Sequence, residues 1–208
     1  MEKKISIEHK DFKKNYNSKE PQIIILKFNS DLVDPVSSFM RISDDMENSF
    51  LFESLKDGDL SGRYSVIGIK PDKILKITNK TSKIYLDNNI EEVINDNPIE
   101  AIRYFINSSL IKKNYDIPSI ASGIFGYIGY DFVANIEDLP KEKIDEFDVP
   151  DSILLRPSIT VVFDKELKEI LICKAVWYAD NVDADNAYNF ALDEINKIKD
   201  KIKYDKII

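Results

Sequence analysis

The sequence predicts an α+β fold, mainly antiparallel sheets with covering helices. Three features lead there: short β-prone runs separated by turn clusters, three stretches with the apolar spacing of an amphipathic helix, and a strands-then-helix order that occurs twice. With 208 residues, 43% of them hydrophobic, the chain can bury one or two cores, and disorder is a poor description of it.

Residues 1–20 are rich in Lys, Asn and Glu with little periodicity, so they read as a poorly packed lead-in to one domain over 21–208. Ile23, Ile24, Ile25 and Leu26 form a buried strand. Asp34 and Pro35 then open a short helix whose apolar side carries Val36, Phe39 and Met40. Residues 49–54 (SFLFES), 63–69 (RYSVIGI), 73–78 (KILKIT) and 83–86 (KIYL) read as an antiparallel meander, with a turn cluster at 56–59.

Asn97 can cap a helix that begins at Pro98, and Glu100 is placed to reach back to the cap. The helix should run to about residue 113 and bury Ile99, Ile102, Phe105, Ile106 and Leu110. Strands at 121–127, 159–164 and 169–177 follow, with residues 137–157, which hold Pro140, Pro150 and Pro157, as a long surface connection. A last helix over 184–203 carries Tyr188, Ala191, Leu192, Ile195, Ile198 and Ile202 on one side. Asp183 and Asp185 stand at its start and Lys197, Lys199, Lys201 and Lys203 near its end, as the backbone dipole favours.

Composition removes several classes of function. The net charge of −8 repels phosphate backbones, which argues against a nucleic-acid partner. Apolar runs such as 23–26 and 153–155 are far below the ~20 residues that span a bilayer, and the first residues lack the apolar stretch of a secretory signal. A single cysteine, Cys173, rules out an internal disulfide and fits a reducing compartment, so a cytoplasmic protein is expected.

No catalytic constellation stands out. The one histidine, His9, leaves Ser-His-Asp or Cys-His chemistry without a base. Gly123, Gly126 and Gly129 fail the G-x-G-x-x-G spacing of a phosphate loop, and instead suit a strand-to-helix corner with close backbone packing, beside Tyr127 and Tyr130 as core or interface aromatics. Asp145, Glu146 and Asp148 read as a solvated loop, residues 165–169 as a charged hairpin tip. Cys173 reads as a core residue, and Arg63 as a structural arginine able to pair with a carboxylate across the sheet.

Taken together, Asp34-Pro-Val-Ser-Ser-Phe-Met-Arg41, Phe50-Leu-Phe-Glu-Ser54, Gly62-Arg-Tyr-Ser-Val-Ile-Gly68 with Pro71, and Gly123-Ile-Phe-Gly-Tyr-Ile-Gly-Tyr-Asp131 resemble the N-terminal region of the anthranilate synthase component I family, among the chorismate-utilising enzymes. Glu137-Asp-Leu-Pro140, Asp148-Val-Pro-Asp151 and Val161-Val-Phe-Asp164 follow in the family's order, so the resemblance covers about residues 22–180.

The resemblance implies a four-layer α/β/β/α core and the conversion of chorismate to anthranilate and pyruvate, the first step of tryptophan biosynthesis. It also implies ammonia from a glutamine amidotransferase partner (component II), Mg²⁺ on the substrate, and feedback inhibition by L-tryptophan. Chorismate and Mg²⁺ residues belong to a C-terminal half expected beyond Ile208. This chain is accordingly expected to hold no catalytic residue and no Mg²⁺ ligand. Two neighbouring readings stay open: aminodeoxychorismate synthase component I, which shares the fold, and a stand-alone, non-catalytic amino-acid-binding module.

In the family, the segment matching Leu51-Phe-Glu-Ser54 forms one wall of the tryptophan pocket. Strand alternation puts Phe50, Phe52 and Ser54 on one face and Ser49, Leu51 and Glu53 on the other. Ser54 is thus the favoured tryptophan contact, with Glu53 as a second candidate that a strand end or bulge would turn inward. Phe52 departs from the family's usual Leu-Leu-Glu-Ser.

Overall fold

The computed structural model describes residues 4–29, 33–43, 46–54, 56–57, 60–87, 89–95, 97–111, 117–137 and 149–203. The chain divides into two compact units. One unit comprises Met1–Lys70, Ile111–Gly123 and Ser158–Ile208, and the other Pro71–Leu110 and Ile124–Pro157. Helices and antiparallel strands make up both, so the α+β class holds.

The described elements are β1 (Lys4–Ile5), α1 (His9–Asn17), β2 (Gln22–Asn29), α2 (Pro35–Ile42), β3 (Phe50–Phe52), β4 (Lys56–Asp57), β5 (Leu60–Ser61), β6 (Tyr64–Thr78), β7 (Thr81–Leu86), β8 (Asn89–Asn95), α3 (Pro98–Asn107), β9 (Phe125–Ile128), β10 (Ser152–Asp164), β11 (Glu169–Val176) and α4 (Ala184–Lys203). Turns of 3-10 helix at Ser119–Ser122 and Tyr130–Asn135 flank β9.

In the first unit β1, β2, β11, β10 and β6 follow in hydrogen-bonded order, and β3 pairs with β6. The β2–β11 ladder runs from Gln22↔Val176 to Asn29↔Glu169. Alternation sends Ile24, Leu26 and Phe28 of β2 and Ile170 and Ile172 of β11 to one core, which α4 closes with Ala191, Ile195, Ile198 and Ile202. Placement of α4 follows the sequence reading, with Asp183 accepting the N–H of Asn186 at 2.8 Å as its cap.

The poorly packed lead-in is corrected. Residues 9–17 form α1, and Phe12 and Tyr16, one turn apart, are 0% and 2% exposed. Their rings meet at 5.7 Å, Phe12 also packs 5.1 Å from Tyr188 of α4, and the Tyr16 hydroxyl accepts the Ala179 N–H at 3.2 Å. Helix α2 has its expected start, the Asp34 carboxylate accepting from Ser37 N–H at 2.7 Å. Its buried residues are Ser38 and Ile42, however, and Val36 and Met40 are exposed.

In the second unit β6 pairs with β7 and β7 with β8, while β9 lies along the first part of β10. Leu75, Ile77, Ile84, Ala101, Phe105, Phe132 and Leu154 make its core. Asn97 caps α3, but the helix ends at Asn107, short of residue 113, and Ile106 and Leu110 are exposed. The hydroxyls of Ser108 and Ser109 both donate to the Phe105 carbonyl, at 3.1 and 2.7 Å, which closes the last turn.

Two separate strands expected at 63–69 and 73–78 are one, β6, with Lys70 at φ 48° just before Pro71. The connection expected to reach residue 157 is strand from Ser152 onward, and the strand expected at 121–127 begins only at Phe125. Strand β8 was not anticipated. Asp145, Glu146 and Asp148 lie outside the described residues, as do 58–59 of the expected turn, around which β4 and β5 pair.

Candidate functional site

Strand β3 lies antiparallel to β6 with Phe50 opposite Gly68, Leu51 opposite Ile67 and Phe52 opposite Val66. Leu51 packs on the first unit's core. Phe50 and Phe52, on the other face, hold their rings 5.0 Å apart. A Cβ added to Gly68 would stand 2.2 Å from the Phe50 ring, so that ring lies directly on the glycine. The same device recurs at Gly62, where an added Cβ would sit 1.4 Å from Ser54 Oγ. Ser54 is half-buried in the space that a side chain at 62 would need, and Glu53 is exposed.

The next residue, Arg63, is bound by a buried carboxylate. Asp164 accepts Nη2 at 2.7 Å and Nε at 3.1 Å, and its Oδ1 also takes the N–H groups of Glu166 and Leu167, each at 3.0 Å. Arg63 Nη1 reaches Glu166 at 3.2 Å, and the guanidinium lies 4.9 Å from the Tyr64 ring centre. Burial pushes the Asp164 carboxyl up, but the Arg63 bonds and the two backbone N–H groups outweigh it and hold the group below its usual range. The structural role read for Arg63 therefore holds.

Residue Lys165 completes the arrangement. Its N–H donates to the Arg63 carbonyl at 3.0 Å, and its Nζ donates to the Ser54 carbonyl. Residues 165–169, expected as a charged hairpin tip, thus also bind Arg63 and Ser54. The available signal was Asp164 opening a four-residue turn, a position from which an Asp habitually accepts N–H groups two and three residues on.

The other singled-out residues are structural. Cys173 is buried, and burial lifts its thiol to about 12. His9 Nε2 meets Asp185 at 2.9 Å, with its ring 4.8 Å from Tyr188. A Cβ on Gly126 would fall 1.9 Å from the Ile153 carbonyl oxygen, which is the close backbone approach expected of that glycine run. Tyr127 and Tyr130 are not core residues: both are exposed, and the Tyr127 hydroxyl donates to the Pro150 carbonyl at 2.8 Å. Among the described residues no three His, Cys, Asp or Glu side chains gather as a metal ligand set, and no helix is long and apolar enough to cross a membrane.

The chain is 32% identical over 188 residues to anthranilate synthase component 1 of Cereibacter sphaeroides, an alignment that takes in 88% of this chain. It belongs to the anthranilate synthase component 1 family. The Thermus thermophilus protein of the same name is 30% identical over 144 residues, and that of Synechocystis 28% over 171. The chain spans well under half the length of these relatives: 38%, 30% and 34% respectively. Among solved structures, anthranilate synthase component I from Streptococcus pneumoniae TIGR4 aligns with a TM-score of 0.48 at 15% identity, over 86% of this chain and 37% of that one. No family model matches the chain.

Proposed function

We propose that this polypeptide is the regulatory and structural part of a cytoplasmic anthranilate synthase component I, and that it forms one wall of a feedback site for L-tryptophan. The whole enzyme would convert chorismate and ammonia to anthranilate and pyruvate, with ammonia supplied by a component II glutaminase. The reading is carried by the 32% identity to the Cereibacter protein across 188 residues. Tryptophan presents an ammonium that needs oxygen acceptors, a carboxylate that needs donors, and an indole that needs an apolar slot. Ser54 and Glu53 offer oxygens at the end of β3, and Phe50 and Phe52 offer apolar surface beside them.

Adding ammonia to the chorismate ring, expelling hydroxyl and eliminating pyruvate demands acid-base groups and charge neutralisation of a dianion. Mg²⁺ would supply that neutralisation in the whole enzyme. The described residues offer no ligand set for it, so no step is assigned to the metal in this chain. The chain's role in this reading is to couple tryptophan binding to the catalytic part.

Coupling of this kind typically amounts to ~1–3 kcal/mol, and chorismate weakens tryptophan by the factor with which tryptophan weakens chorismate. The test is inhibition of the complete enzyme. Ser54→Leu should raise the tryptophan concentration for half-inhibition at least about tenfold, an increment of ~1.4 kcal/mol. Unchanged inhibition removes Ser54 from the site. Turnover of chorismate by the 208-residue chain alone, with ammonia and Mg²⁺ present, would overturn the non-catalytic assignment.

A further inference from the structure

A serine that grips a ligand must be held still, because any freedom it loses on binding subtracts from affinity. The β3–β6 ladder ends at Phe52↔Val66, two residues before Ser54. Ser54 is held instead by the turn between β10 and β11. Lys165 Nζ donates to its carbonyl, and its side chain rests on Gly62. The same turn secures Gly62 from behind. Arg63 receives the Lys165 N–H on its carbonyl at 3.0 Å and presents its guanidinium to Asp164, which is itself ordered by the N–H groups of Glu166 and Leu167. One four-residue turn thus fixes both the backbone of Ser54 and the strand on which that serine lies.

We infer that this turn is a positioning clamp for the ligand site at Ser54, in which Asp164 sets Gly62-Arg63 and Lys165 sets the Ser54 carbonyl. The inference rests on Ser54 being a tryptophan contact, as proposed above. Neither Asp164 nor Lys165 touches the ligand in this scheme. They act through the residues they hold, so losing them weakens tryptophan without touching the chemistry of chorismate.

The experiment compares Lys165→Met, Lys165→Arg, Asp164→Asn and Ser54→Leu in the complete enzyme. It reads tryptophan affinity by calorimetry, the tryptophan concentration for half-inhibition, and kcat and KM for chorismate without tryptophan. Lys165→Met should weaken tryptophan about fivefold or more, the loss expected for one charge-assisted hydrogen bond to a partly exposed acceptor, and leave kcat and KM within about twofold. Lys165→Arg, which keeps a long cationic donor, should recover most of the affinity. Asp164→Asn should weaken tryptophan further. Should that buried substitution fail to fold, Lys165→Met decides alone, since Lys165 is exposed. The clamp is overturned if Ser54→Leu abolishes the tryptophan response while Lys165→Met retains it in full. It is equally overturned if Lys165→Met alters kcat or KM as much as tryptophan affinity. If Ser54→Leu itself leaves the response intact, the tryptophan assignment fails and the clamp with it.

Discussion

Substituting Gly68 by alanine puts the packing of β3 on β6 to a direct test. The new Cβ would lie 2.2 and 2.3 Å from two carbons of the Phe50 ring, where ordinary carbon contacts are ~3.5–4.0 Å, so the ring must retreat by more than an ångström. The ring is half-buried, and swinging it outward re-exposes on the order of 100 Å² of apolar surface, or about 2.5 kcal/mol at ~25 cal/mol per Å². Alanine recovers ~0.5–1 kcal/mol of strand propensity over glycine, which leaves a net destabilisation of about 2 kcal/mol. Thermal unfolding should then fall by roughly 4–8 °C for a chain of this size. The decisive assay is the double mutant Gly68→Ala/Phe50→Ala. With the ring gone the nearest atoms that the added methyl would meet are removed, so the pair should be more stable than the sum of the singles by about 1–2 kcal/mol. A neutral Gly68→Ala, or additivity within ~0.5 kcal/mol, would refute the contact.

In the second unit, Arg156 donates Nε and Nη2 to the two Asp72 oxygens at 2.9 and 2.8 Å and Nη1 to the Ser108 carbonyl at 3.2 Å. Asp72→Ala should cost about 3–5 kcal/mol in chemical denaturation, and Arg156→Met/Asp72→Leu much less, because only the single change strands a buried charge. Asp164 and Glu194 both sit below their ordinary carboxyl values. In each, burial pushes up and is outweighed, for Glu194 chiefly by Lys70 at 2.6 Å. Their folded values being depressed, the stability they contribute is complete above the unfolded values of ~3.9 and ~4.3 and drains as pH falls below them. Acid unfolding curves should therefore be flatter below about pH 4 for Asp164→Asn than for the parent. Cys173, lifted to about 12 by burial, should resist alkylation at pH 8 until denaturant is added, and rapid native labelling would contradict its core position.

How far the sequence could be read depended on whether local chemistry and tertiary context agreed. Helix α4 was legible end to end because cap, apolar stripe and terminal lysines point the same way. In α1, six charged or amide side chains out of nine mask a clean i, i+4 pair, Phe12 and Tyr16, whose burial depends on distant partners such as Ala179 and Tyr188. Strand β8 (NIEEVIN) sets two adjacent glutamates among apolar residues at the sheet margin, so the period-two alternation of a half-buried strand is broken and the segment carries little signal by itself. The prolines misled most usefully. Pro71 falls between the two strands expected at 63–69 and 73–78, and Pro157 in the expected surface connection, yet each lies inside a long strand, β6 or β10.

At the candidate site the sequence made two motifs conspicuous but not the way they pack. The Phe50–Ser54 stretch and the Gly62–Gly68 stretch were conspicuous as separate motifs, and the structure explains why they travel together. Ladder register alone would set Ser54 opposite Tyr64; the serine instead lies over Gly62, two residues farther along and on the same face as Phe50 over Gly68. Each motif is therefore half of one surface. The glycines supply the hollows, and Phe50 and Ser54 supply the bodies that fill them, so a Cβ at either hollow displaces a defined side chain. An exposed strand arginine would be free to greet any carboxylate, but Arg63 is already committed to Asp164 and Glu166, and its charge serves to lock a turn. That commitment could not be read from residues 62–68 alone, because its cause lies 101 residues away, in the turn that Asp164 opens.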